Sequence, residues 1–330
     1  MRVFKKKILV IQTAFIGDAI LATSILEKLH ERFATSKIDF FIRKGSESLF
    51  EDHPFIDHLY VWDKKGGKYK NLLNILKQVR KQDYLYVINL QRYLSTGVFT
   101  AFSRGGKKFG FEKNPFSFSF DKKFPHDITG RKHEVERNQL LIEAITDENP
   151  AVPKLYPSAT HFEKVQKYKN APYVCISPAS VWFTKQFPIK KWIDLIKKLE
   201  NKYKIYLLGG PDDKELCEAL RKKSVSPKTF NLAGKLSLLE SAALMKGATM
   251  NYANDSAPLH LASAMNAPIT AVFCSTIPAF GFGPLSENSK VVEIKEDLEC
   301  RSCGLHGKRS CPKGHFKCAM DINIDDLLFE

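Results

Sequence analysis

What the sequence lacks narrows it first. No stretch of its 330 residues stays apolar over the roughly 18–20 positions a membrane-spanning helix needs. The basic opening, Met1 to Lys7, leads into an apolar stretch that stops at Gln12 with no cleavage-type site. It reads as a first strand and not as a signal peptide, so a cytoplasmic protein is expected. There is no strict internal repeat and no low-complexity tract. The turn after the first strand carries a single glycine, Gly17, which excludes a dinucleotide fingerprint. Acids are in short supply, 36 against 51 Lys and Arg, and the formal charge of +15 points to a polyanionic partner. Nucleic acid, an anionic membrane surface and phosphorylated substrates would all qualify. An RNA-recognition aromatic signature and a recognition-helix pattern are both missing, which ranks a nucleic-acid or anionic-surface binding module below an enzyme.

Cysteine is sparse as well. Cys175, Cys217 and Cys274 sit inside apolar patterns, as small buried hydrophobes do. The other four crowd the end of the chain as Cys300-x2-Cys303-x7-Cys311-x6-Cys318, with His306 and His315 among them. Close spacing fits a structural zinc knuckle, and the irregular gaps fit idle thiols in a reducing compartment; both readings stand at this point.

The remaining sequence alternates short apolar runs with helix-like segments. Lys7–Gln12, Ile38–Ile42, His58–Trp62 and Tyr84–Leu90 read as strands, with helical patterns over Ala19–Arg32 and Tyr69–Lys81. A proline-rich polar stretch, Asp147–Pro153 with Pro157 beyond, is the best linker. A second series follows: strands at Tyr173–Ser177, Lys204–Leu208, Ala248–Tyr252 and Ile269–Phe273, and helices at Ile189–Asn201, Asp212–Lys222, Ser237–Lys246 and Ser256–Met265. Such alternation predicts two α/β halves with parallel sheets, residues 1–157 and 158–330, and a ligand held in the cleft between them at the carboxyl ends of the strands. Between Arg92 and Arg137 the rhythm changes: ten Lys and Arg face five acids, with nine aromatics interleaved, including Phe116, Phe118 and Phe120. That stretch reads as an insert on the rim of the sheet.

Four strand-to-helix turns carry the chemistry. In Gln12–Asp18, Asp18 stands at the mouth of a helix, either as a plain cap or as a general base. Ser177–Pro188 offers Ser180, Thr184 and Lys185, hydroxyls and a cation that suit a diphosphate. Leu207–Asp213 places Asp213 where a carboxylate could take ribose hydroxyls, with the glycine of Asn231–Ser237 further on. Asn254-Asp255-Ser256-Ala257-Pro258-Leu259-His260 crowds a carboxylate, a hydroxyl and free amides at a helix N-terminus, an anion site by construction.

Gly17–Thr23, Pro178–Pro188, Leu232–Glu240 and Asn254–His260, together and in that order, resemble the ADP-heptose:lipopolysaccharide heptosyltransferases, type II more than type I. The resemblance runs from about Lys7 to the C-terminus and is weakest between Arg92 and Pro157. It implies a GT-B fold, two Rossmann-like domains with parallel sheets facing across a cleft, and an inverting transfer that requires no cofactor. Residues 1–157 would be the acceptor side and 158–330 the nucleotide-sugar side. By the same resemblance, Asp18 would be the base. Lys185 would be the diphosphate partner, helped by Ser180 and Thr184. Asp255 would hold the heptose hydroxyls, Ser256, Ala257 and the following helix amides would hold the diphosphate, His260 would also contact the donor, and Asp213 would take the ribose. Ala179 and Ala257 stand where the family more often has glycine. The implied partners are ADP-heptose, a lipopolysaccharide core acceptor and, peripherally, the anionic inner membrane, with no nucleic acid. Arg92, Lys122 and Lys123, in the basic stretch with Arg131, are the candidate acceptor cations. The alternative within enzymes is a related GT-B transferase using another nucleotide sugar or glycan acceptor.

Overall fold

A computed structural model describes residues 7–129 and 132–329. Arg131 and the basic stretch ahead of Lys7 lie outside the described residues. The chain divides into two compact units, Met1–Tyr156 and Pro157–Glu330.

The first unit contains strands β1 (Lys7–Gln12), β2 (Lys37–Arg43), β3 (Ile56–Trp62), β4 (Tyr84–Asn89), β5 (Gly105–Phe111) and β6 (Lys122–Phe124). Its helices are α1 (Ile16–Leu21), α2 (Thr23–Arg32), α3 (Lys68–Val79), α4 (Leu94–Phe102) and α5 (Glu134–Gln139). The strand order is β3-β2-β1-β4-β5-β6 and every pairing is parallel. Inner strands of such a sheet are covered on both faces, so they read as unbroken apolar runs. Ile8, Leu9, Val10 and Ile11 are accordingly all buried. The sequence expectation of one helix over Ala19–Arg32 is corrected to two, which meet at Ala22.

The basic-aromatic stretch is likewise corrected. It is no rim insert, since it supplies β5 and β6, which continue the sheet from β4. Phe109, Phe111 and Phe120 are buried in it, and among the three alternating phenylalanines only Phe118 is strongly exposed.

The second unit contains β7 (Tyr173–Ser177), β8 (Lys204–Leu207), β9 (Thr229–Asn231), β10 (Met250–Asn254), β11 (Ile269–Phe273) and β12 (Ser289–Glu293). Its helices are α6 (Ala159–Gln166), α7 (Ile189–Leu199), α8 (Lys214–Ser224), α9 (Leu238–Lys246), α10 (Ala257–Ala264) and α11 (Lys317–Met320). The order is β12-β11-β10-β7-β8-β9, again all parallel. Counted from each unit's own first strand, both sheets run 3-2-1-4-5-6. This is the dinucleotide-fold order, in which ligands collect where the winding reverses, between strands 1 and 4. Those strands are β1 and β4 in one unit, β7 and β10 in the other. Among the described residues no helix is long and apolar enough to cross a membrane.

Candidate functional site

In the first unit the turn after β1 leads straight into α1, and Asp18 is the third residue of that helix. Its Oδ2 accepts a hydrogen bond from the Phe15 amide at 3.2 Å, so the carboxylate closes the helix entrance. Its side chain keeps partial access to solvent. Burial, followed by the negative charge of Glu134, pushes its carboxyl up to about 6, against the opposing pull of the Phe15 amide and the Arg92 charge. A carboxylate tuned to that value is ionised near neutral pH and still basic enough to take a proton in a transition state.

Arg92 and Glu134 belong to a string beside it, of which His126, Glu134 and Arg137 are buried. Arg92 Nη1 lies 3.4 Å from His126 Nδ1, His126 Nε2 3.6 Å from Glu134 Oε2, and Arg137 Nη2 2.8 Å from the same oxygen. Burial works against ionisation of Glu134, but the His126 hydrogen bond and the Arg137 charge prevail and hold its carboxyl below the ordinary value. Lys122 and Lys123 are not brought to Asp18. They lie on β6, three strands from β1, about 14 Å away at ordinary strand spacing.

A second group of cations went unseen in the sequence. Lys64 Nζ donates to the carbonyl of Thr13 at 2.6 Å and stands 4.6 Å from the Trp62 ring centre, and Arg43 stacks over Phe15. Burial, then the charges of Arg43 and Lys68, lower the Lys64 ammonium to about 8. A cation depressed by burial and by neighbouring cations marks a place where an anion would be welcome. Their position at the ends of β2 and β3 was the one signal the sequence offered.

In the second unit the loops after β7 and β10 are braced together. Asn254 Oδ1 accepts from the Phe187 amide at 3.0 Å, and its Nδ2 donates to the Pro178 carbonyl at 2.7 Å. This brings Lys185 Nζ to 2.7 Å from Asp255 Oδ2, which also accepts from Thr276 Oγ1 at 2.7 Å. Ser256 then opens α10 in extended conformation and makes no side-chain cap, with Ala257 as the first helical residue. His260 is buried one turn further on. Ser180 sits partly exposed in the β7 loop and its carbonyl accepts from Gln186. Asp213 serves its own turn, where its Oδ2 accepts from the Gly210 amide at 2.8 Å.

Two expectations are revised. Thr184 is fully buried, and its hydroxyl is already engaged by Ser275 at 2.9 Å and by the Lys308 amide at 2.8 Å, so no donor can touch it without displacing these. The zinc reading of Cys300, Cys303, Cys311 and Cys318 finds no support. Among the described residues no group of three or more His, Cys, Asp or Glu is arranged to hold a metal ion. Cys303 Sγ turns to the Cys300 carbonyl at 3.8 Å, Cys300 Sγ lies 3.8 Å from His315 Nε2, and Cys318 is drawn into the apolar core.

Residues 72–309 match the family model of glycosyltransferase family 9 (heptosyltransferase). The chain belongs to that family. It is thus a glycosyltransferase, and its two parallel sheets form the α/β architecture of GT-B enzymes. Among relatives, lipopolysaccharide heptosyltransferase 1 of Campylobacter coli is 27% identical over 98% of this chain and 97% of its own. The family 9 glycosyl transferase of Veillonella parvula superposes with a TM-score of 0.79 at 23% identity, covering 88% of this chain and 87% of that one. The ADP-heptose lps heptosyltransferase II of E. coli does so with a TM-score of 0.75 at 20% identity, over 88% and 91%. At such identities the superpositions speak for the fold, and the family assignment rests on the family match.

Proposed function

We propose that this family 9 transferase moves heptose from ADP-heptose to the inner core of lipopolysaccharide, with inversion at the anomeric carbon. The observation that carries the reading is the pairing of Lys185 with Asp255 ahead of an α10 N-terminus that Ser256 leaves uncapped by its side chain. A lysine and open helix amides meet the charge that grows on a departing diphosphate, and a neighbouring carboxylate takes sugar hydroxyls. Asp18 accepts the proton of the acceptor hydroxyl as that oxygen forms its bond to the anomeric carbon. The bond from that carbon to the diphosphate oxygen breaks in the same step, and its electron pair leaves with ADP. In this reading the transfer needs no metal cofactor.

The names of the relatives favour lipopolysaccharide as acceptor. Its inner core carries carboxylates and phosphates, and the cations around Lys64 and Arg43, with Arg92, suit such groups. Lys122 and Lys123 then serve the wider anionic surface of the inner membrane. The deciding experiment presents the purified chain with a panel of nucleotide sugars and a heptose-free core acceptor. ADP-heptose should be preferred by about 100-fold or more, as differential transition-state binding allows, and NMR should find the product inverted. Faster transfer from another nucleotide sugar would replace the donor, and a retained configuration would remove Asp18 as base.

A further inference from the structure

The first part of the cysteine-rich end of the chain lies against the loop that carries Lys185. We propose that Arg301–Lys308 belongs to the donor machinery, and that through Thr184 and Ser275, acting as positioning residues, it fixes the backbone from which Lys185 reaches the leaving diphosphate.

Three ties hold this segment to the strand ends. The Arg301 guanidinium donates to the carbonyls of Cys274 at 2.9 Å and Thr276 at 2.7 Å, and also pairs with Glu293. The Cys303 amide donates to the Ser275 carbonyl at 2.9 Å. Lys308 closes the set with two bonds to one residue: its amide donates to Thr184 Oγ1 at 2.8 Å, and its carbonyl accepts from the Thr184 amide at 3.1 Å. Ser275 Oγ donates to the same Thr184 hydroxyl at 2.9 Å. Both Thr184 and Ser275 are fully buried, so these bonds meet no competition from water.

The result reaches past Thr184 to its neighbour. Ser275 and Thr276 are consecutive, and Thr276 holds the Asp255 carboxylate that Lys185 touches. One short stretch therefore fixes both members of the ion pair, the cation from behind and the anion from the side. Gly307 shows how closely the segment lies. Its φ is +78°, and a Cβ there would stand 3.0 Å from both Lys185 Cγ and Thr184 Oγ1. A side chain at 307 would be strained and would push on the lysine itself. Phe316 adds an aromatic contact with Phe183, their ring centres 5.2 Å apart. Free Lys185 would spread over many rotamers; a fixed backbone leaves less of that freedom for the donor to remove.

The inference rests on Lys185 being the diphosphate partner, and the test separates the two. ADP affinity is read by calorimetry on the full chain, together with donor KM and kcat. Thr184→Val keeps the shape and removes the hydroxyl, and should weaken ADP binding about tenfold, in the range of a buried hydrogen-bond pair left incomplete. Thr184→Ser should return the affinity to within about twofold of wild type, since it restores the acceptor. In a Lys185→Ala background Thr184→Val should cost nothing further, because its effect runs through that ammonium. Ser275→Ala, a milder change that guards against loss of folding, should weaken ADP binding about threefold by removing one donor from the same hydroxyl. Additive losses in the double variant, or wild-type ADP affinity in both Thr184→Val and Ser275→Ala while Lys185→Ala is impaired, would overturn the positioning role alone. Unchanged affinity in Lys185→Ala would overturn the diphosphate assignment and this inference with it.

Discussion

The two units wind their sheets in the same order, yet their reversal points are furnished in opposite ways. After β1, an acid stands inside the first turn of a short helix and closes it with its own carboxylate. After β10, the acid stands before the helix, is drawn aside by Lys185 and Thr276, and leaves the first turn to its N-cap serine, which makes no side-chain cap. Displacement of a carboxylate by a few positions along the same turn thus changes what the turn can do. Inside, it becomes a half-buried group with a raised pKa, suited to proton transfer. Outside and paired, it leaves a helix end suited to an anion. In the proposed reading, one topology supplies two chemistries through the placement of one carboxylate in each turn.

The comparison breaks most sharply at Asp18. Asp18→Asn keeps an oxygen for the Phe15 amide and removes the base, so turnover should fall by roughly 10²–10⁴. The pH profile follows from the raised value. Below about 6 Asp18 is protonated, so kcat/KM of the wild type should decline on the acid side with a midpoint near 6. For stability the sign is opposite to that of a salt-bridged acid. The raised pKa contributes stability below the ordinary value near 3.8, and that contribution is lost as pH rises through about 6. At pH 8 the melting temperature of Asp18→Asn should therefore match or exceed that of the wild type. A variant with near-normal turnover would reduce Asp18 to a cap.

Lys185→Ala tests the other reversal point. It removes a charged hydrogen bond and leaves Asp255 beside the donor without its cation, so donor affinity should fall by about 1.5–3 kcal/mol. Equal donor KM and rate in variant and wild type would make Lys185 a structural partner of Asp255 only.

Lys64→Met, in the first unit, should raise the acceptor KM about tenfold and spare the donor, the size expected for one charge-assisted contact. A donor effect instead would sever the acceptor assignment of that unit. The smallest change is expected from neutralising Lys122 and Lys123 to Gln. Successive strand residues point to opposite faces, so only one of the pair can meet a given surface. With about 1 kcal/mol per lysine near an anionic membrane, acceptor KM on vesicles should rise only about fivefold. The gap should shrink with added salt, and if it persists at high salt the lysines act by shape and not by charge.

The sequence reveals most where burial is deepest. Ile8–Ile11 and Val174–Ile176 form apolar runs that only a doubly covered strand explains, and the strands beside the reversal points could be placed from them. Very short strands and a strand that opens on glycine and lysine are illegible for a physical reason. β5 begins Gly-Gly-Lys-Lys and β6 and β9 span three residues each, so neither propensity nor period betrays them. The turns after β1, β7 and β10 could be nominated because their polar residues interrupt buried strands. What those residues do could not be read, because it depends on distant partners. The loop sequence offers Thr184 as a donor contact, but its hydroxyl is held by Ser275 and Lys308, 91 and 124 positions along the chain. Asp18 shows no sign in its own neighbourhood of Glu134, which helps to raise its pKa.

The open margin at β6 has a consequence for the protein as a solute. An outermost strand offers unpaired backbone groups to any extended chain that drifts alongside, including another copy of this one. Here that strand is three residues long and two of them are exposed lysines, so a second copy would have to bring its own lysines against these. Like charges opposed across a strand pair repel, and a strand of three residues offers few bonds to offset that repulsion. Whatever Lys122 and Lys123 contribute to an acceptor, they keep a sheet margin from becoming a template. Reversal of both lysines to Glu would preserve this protection, whereas replacement of both by Val would expose the margin as turbidity at high protein concentration.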